Sequence, residues 1–290
     1  MSKEKLRALL MLTLSMVIFG TVGIFRRWIP LSSGLLAFSR GAIGAAVLSV
    51  PAILTRKKSE PGAVKKNLPM LLLSGALIGV NWILLFEAYN HTTVSVATLC
   101  YYMAPVFIIA ASPLVLREKL TAKKLCCLLA AVFGMLLVSG VFGNTAGPSV
   151  KGVLFGLGAA ALYASVILLN KRLTDVPAAV RTAVQIGAAA AAVLPYALLT
   201  DGLDYSVLDS KGAMLLLLMG AVHSGLAYLL YFGALPNLSA QTAAIFSYID
   251  PVVAVLLAWP LLGQKMSFTE ILGAILILGA ALISEIRRKS

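Results

Sequence analysis

The chain has 290 residues, 60% of them hydrophobic and only 12% charged, with a mean hydropathy of +0.96. A soluble domain carries roughly a quarter charged residues, and here the apolar residues fall in blocks of about twenty, the length that crosses a ~30 Å hydrocarbon core. That excludes a water-soluble globular domain and gives the fold class: all-α, a polytopic membrane protein, since backbone polar groups in lipid must be satisfied within each segment and barrel-type alternation is absent.

The net charge of +13 raises the question of nucleic acid. The basic residues sit at alternate helix ends rather than along one stripe, so no nucleic-acid partner is expected. The three cysteines, Cys100, Cys126 and Cys127, have no His or Asp at ligand spacing and read as packing residues, with no metal site and no cofactor.

In chain order, ten spans are expected at about 7–27, 33–55, 68–89, 93–116, 122–142, 150–171, 178–199, 212–235, 238–262 and 269–286. Lys3, Lys5 and Arg7 precede the first apolar run, which continues without a small-residue cleavage pattern and therefore reads as an uncleaved first span. Trp28 and Trp259 fall near span ends as interfacial anchors, and Arg26 and Arg27 are expected to snorkel to the outer headgroups. With the N-terminus inside, the inner segments hold eighteen Lys and Arg residues and the outer segments five. The imbalance predicts a multi-pass protein of the cell membrane with both termini cytoplasmic.

The chain is also duplicated. The stretch SVATLCYYMAPVFIIAASPLVLREKLT from Ser95 to Thr121 has a second version, QTAAIFSYIDPVVAVLLAWPLLGQKMS, from Gln241 to Ser267. At one common spacing Tyr102 maps to Tyr248, Pro105 to Pro251, Val106 to Val252, Lys119 to Lys265, Phe86 to Phe232 and Ala88 to Ala234. Phe19 and Pro51 map to Tyr163 and Pro195 at a spacing two residues shorter. Each copy (1–145 and 146–290) holds five spans. Five is odd, so the second copy enters the membrane from the opposite side. Two inverted five-helix repeats place a binding site near the midplane between halves that rock.

An ionisable group at mid-membrane costs about 2.5–3.5 kcal/mol and needs a reason. Asp250 and His223 sit at the middles of consecutive spans joined by a tight turn, so the two could meet, either as a solute- or proton-binding pair or as a packing pair. Arg40 could reach Glu87 near the outer end of the third span, as an outer gate or as a structural ion pair. Pro105 and Pro251 are expected to kink mid-helix, freeing the carbonyls of Tyr101 and Ser247 toward a cavity. Tyr102, Tyr248, Asn81, Trp82, Tyr228 and Gln185 complete the expected lining.

Two five-helix copies, each with an (A/D)-P-V helix followed by a charged turn, resemble the drug/metabolite transporter superfamily, EamA-type. Ala104–Pro105–Val106 and Glu118–Lys119–Leu120–Thr121 carry the pattern in the first copy, while Gln264 replaces its Glu in the second. The resemblance implies a ten-helix carrier with a central cavity and peripheral fifth and tenth spans. The expectation is a secondary transporter, not an enzyme, that moves a small metabolite, amino acid or drug-like solute by alternating access, as a monomer or homodimer in the lipid bilayer. The alternative is an intramembrane lipid-modifying enzyme, which would need paired acids that the sequence does not cluster. A pore would need a polar stripe, and an ATPase a phosphate-cradling loop; neither is present.

Overall fold

The computed structural model describes residues 3–56, 62–115, 121–138, 149–170, 172–173, 175–234, 237–238 and 246–285. The basic turn at Arg117–Leu120, Pro236 and Ser239 of the turn between the eighth and ninth spans, and the Phe232 side chain lie outside the described residues. The described residues are helical, with no strand among them. The helices are α1 (Lys3–Gly20), α2 (Val22–Trp28), α3 (Ser33–Arg56), α4 (Ala63–His91), α5 (Val94–Tyr101), α6 (Ala104–Val115), α7 (Ala122–Val138), α8 (Val150–Asn170), α9 (Ala178–Asp201), α10 (Ser210–Leu218), a π-helical turn (Met219–Leu226), α11 (Ala227–Ala234), α12 (Ile249–Leu262) and α13 (Phe268–Glu285).

Seven stretches among the described residues are long and apolar enough to cross a membrane, from Lys3–Trp28 to Ser210–Tyr231. The fifth, ninth and tenth expected spans appear as shorter apolar helices, Leu125–Val138, Ile249–Leu262 and Phe268–Ala280. Large apolar side chains face outward all round the bundle, among them Leu54, Leu129, Phe133, Leu199, Leu256 and Phe268, as expected where the surroundings are lipid rather than water. Trp28 and Trp259 are both exposed. Arg26 is not: only 6% of it is accessible, and its Nη1 donates to the Ile29 carbonyl at 3.1 Å. Its expected escape to the headgroups is replaced by a backbone partner at the end of its own helix.

The principal interfaces come in pairs. α3 packs on α9 and α7 packs on α13. The contact of α4 with α8 has its counterpart in α1 against α11, and that of α4 with α9 in α3 against the π turn. Likewise α5 and α6 pack on α8 as α12 packs on α1. Exchanging the first five expected spans for the second five maps each interface onto its mate.

Glycines set how near these helices come. A Cβ at Gly79 would lie 2.7 Å from the Ala189 carbonyl oxygen, and one at Gly75 would lie 2.6 Å from that of Gln185. At Gly220 a Cβ would meet Ile43, at Gly225 Val47, and at Gly44 Ser224. Small residues permit this approach, and in lipid it is van der Waals contact of this kind that holds helices together. Gly134 and Gly273 do the same for α7 and α13. Gly79→Leu is therefore expected to lower stability by about 1–3 kcal/mol through overpacking, read as a drop in the thermal unfolding midpoint in detergent. Gly279, with nothing within 4 Å, serves as control: Gly279→Ala should be neutral or stabilising.

Candidate functional site

Arg40 stands in the second turn of α3 and is 3% exposed. Its Nε donates to Ser224 Oγ at 3.0 Å. The guanidinium carbon lies 4.6 Å from the Trp82 ring centroid and 5.6 Å from that of Phe86, so the cation rests against aromatic rings of α4. The expected contact with Glu87 is not made. Glu87 instead pairs with His91 at 3.4 Å and accepts from Asn90 Nδ2 at 3.4 Å. The guanidinium within electrostatic reach of Glu87 is Arg26. Depth brought Arg40 and Glu87 to neighbouring levels; the rotation of α4, which turns Trp82 and Phe86 toward α3, leaves Glu87 at the rim.

His223 lies in the π turn and is 2% exposed. Its Nε2 is 2.9 Å from Thr21 Oγ1, and its ring meets Phe25 edge-on at 4.6 Å. The Thr21 hydroxyl already donates to the Ile18 carbonyl at 2.7 Å. A threonine hydroxyl has one proton to give, so Nε2 is the donor and the imidazole carries its hydrogen there. The expected meeting of His223 with Asp250 does not occur: Thr21, at the junction of α1 and α2, takes the imidazole instead.

Asp250 is half-buried near the start of α12, with Tyr102 beside it. The Tyr102 hydroxyl donates its one proton to the Ser247 carbonyl at 3.1 Å, one of the two carbonyls expected to be freed by proline. The regular helix is interrupted just before each proline. α5 stops at Tyr101 and α6 starts at Ala104, with Pro105 as its second residue; Pro251 is the third residue of α12. Proline in a first turn removes a donor that has no intrahelical partner anyway. The Tyr102 and Tyr248 rings are 6.2 Å apart, and Tyr101 lies 5.2 Å from Tyr163. Tyr89, Tyr101 and Tyr228 are each within electrostatic reach of both Arg40 and Asp250.

Two expected lining residues are helix fasteners in this structure. Asn81 Nδ2 donates to the Ala159 carbonyl of α8, and Gln185 Nε2 donates to Ser74 Oγ and Asn170 Oδ1, both at 2.6 Å. A second group of polar contacts ties the two chain halves together at the helix ends opposite Asn170. Ser32 donates to Asp201 Oδ2 at 2.7 Å, Ser39 and Tyr205 hydroxyls are 2.8 Å apart, and the Val94 N–H donates to Gln264 Oε1 at 2.8 Å. Ser224, Thr21, Phe25, Tyr89 and Tyr163 escape a reading based on charge at depth, because small hydroxyls and single aromatics within apolar spans give no signal until their partners are known.

A family model described as the EamA-like transporter family matches the chain twice, at residues 6–140 and 150–285. The chain is 27% identical over 290 residues to "Uncharacterized transporter YxxF" of Bacillus subtilis, covering 99% of this chain and 92% of that protein. It is 27% identical to "Protein PecM" of Dickeya dadantii, covering 75% and 76%, and 26% identical to "Protein RarD" of Salmonella typhi, covering 69% and 66%. Among solved structures, a crystal structure at 21% identity superposes with a TM-score of 0.66 over 96% of each chain, which is a likeness of fold.

The tautomer at His223 is testable. Thr21→Val strands the buried Nε2–H and should cost about 1–3 kcal/mol of stability, whereas Thr21→Ser should retain it. Equal unfolding midpoints for Thr21→Val and wild type would refute the assignment.

Proposed function

The chain belongs to the EamA-like transporter family, within the drug/metabolite transporter superfamily, and on that premise we propose that it is a secondary carrier working by alternating access. In this reading ten spans form two inverted five-helix repeats, 1–145 and 146–290, with both termini cytoplasmic in a bacterial plasma membrane. The solute is a small metabolite, amino acid or drug-like molecule, and it occupies a central cavity between the repeats. The paired interfaces and the double match of the family model support the repeat. The names of the relatives favour carriage over lipid modification.

The observation that carries the site is electrostatic. Arg40 in one repeat and Asp250 in the other have no protein counter-charge within ion-pair distance among the described residues, and three tyrosines stand within reach of both. Opposite charges left apart inside an apolar bundle are costly, and a solute between them offsets that cost. Tyr101, Tyr102, Tyr228, Ser247 and Tyr248 would form the walls, with Asp250 and His223 as the proton-coupling candidates and the Pro105 and Pro251 breaks as hinges. Glu87, at the rim with His91, remains the gate candidate.

The Ser32–Asp201, Ser39–Tyr205 and Val94–Gln264 contacts would then be an outer latch, closed in this structure. The test needs no knowledge of the solute. With Cys100, Cys126 and Cys127 replaced by Ala, spin labels on Ser32→Cys and Asp201→Cys should give two distance populations in liposomes, one latched and one wider. Asp250→Asn should shift their ratio. A single short distance under all conditions would exclude alternating access at this end.

A further inference from the structure

The two repeats differ by one residue in the π turn. MLLLSGAL (Met70 to Leu77) aligns with LLLLMGAV (Leu215 to Val222), and Gly79 aligns with Gly225, but between them the first repeat has only Ile78 where the second has His223 and Ser224. A single added residue that leaves the helix intact must widen one turn, and the widened turn is Met219–Leu226. Such insertions recur at functional sites. Here the added residue allows two side chains to do separate work. Ser224 accepts from Arg40 Nε, and His223 donates to Thr21.

The consequence falls on Arg40. Ser224 takes its Nε, Trp82 and Phe86 lie against the guanidinium, and its two terminal nitrogens make no hydrogen bond to an acceptor among the described residues. A guanidinium forks in its own plane, and two parallel N–H donors fit the two oxygens of a carboxylate or phosphate. Neither aromatic face can supply that acceptor, because a ring above the plane attracts the charge without satisfying in-plane N–H groups. We infer that the fork of Arg40 is the receptor for an oxyanion on the carried solute, a carboxylate or a phosphate, and that the inserted residue fixes its direction through Ser224. The inference rests on the carrier reading and narrows it to organic anions or zwitterions. Asp250, beyond the tyrosines, would repel a second negative group.

The experiment measures binding rather than transport, so it and the spin-label distances fail independently. Purified protein in detergent, in chloride-free buffer at neutral pH, is titrated with 3-phenylpropionate against 3-phenylpropionamide, with glycerol 3-phosphate against glycerol, and with inorganic phosphate. At least one oxyanion should raise the unfolding midpoint while its neutral mate does not, and the responding arm separates carboxylate from phosphate. Arg40→Met should abolish that rise while leaving the anion-free midpoint unchanged or higher, because it removes a buried charge that has no counter-charge. Ser224→Ala should keep the fold and weaken the responding anion about tenfold, and Arg40→Lys, which keeps charge but loses the fork, should weaken it too. The inference is overturned if no anion stabilises the wild type or if neutral mates match their anions. It is equally overturned if Arg40→Met lowers the anion-free midpoint while the anion response survives.

Discussion

Backbone approach at glycine is the constraint on which the centre of this molecule depends. Where Gly75 and Gly79 of α4 face α9, and Gly44 of α3 faces the π turn, a single added methyl group would collide with backbone or with Cβ atoms. Lipid offers no hydrophobic force to press helices together, so contact surface must supply the adhesion. Only near-touching backbones let a side chain as short as serine bridge from one helix to the arginine of the next. The Arg40–Ser224 bond therefore depends on the same closeness that Gly44 permits.

Much of this was legible in the chain itself. Apolar length and charge balance identify a membrane bundle, because the bilayer tolerates few alternatives. Depth and polarity single out Arg40, His223 and Asp250, all of which sit inside the bundle. Depth gives the level of a residue along a helix axis but not its rotation about that axis. Both expected pairs, Arg40 with Glu87 and His223 with Asp250, failed on rotation. The π turn adds to the difficulty, since it shifts the phase of every residue after Leu218 in a way that hydropathy cannot register. The clue was present as the drift in repeat spacing between Pro51 and Phe86, which requires insertions somewhere in between. Arg26 was misplaced for another reason: interfacial position says nothing of whether the following loop folds back, as Ile29 and Ser33 do here to receive its guanidinium.

Within the proposed two-repeat scaffold, the groups that shape the interior are duplicated while those that carry polarity are not. Trp82 is matched by Tyr228, Tyr102 by Tyr248, Phe19 by Tyr163, Pro51 by Pro195 and Pro105 by Pro251. Arg40 is matched by Val184, Asp250 by Ala104, Asn81 by Ala227, Gln185 by Gly41, and the His223–Ser224 pair by Ile78. Symmetric walls suit a motion in which the two repeats exchange roles, since each must be able to adopt the conformation of the other. A solute with chemically distinct ends imposes the opposite demand, because a site with identical halves cannot tell its ends apart. Placing each charge in one repeat, against an apolar mate in the other, meets both demands. The inserted residue belongs to the second class: it leaves the glycine contacts of the scaffold in register with those of the first repeat, and it changes only what the interior presents to Arg40 and Thr21.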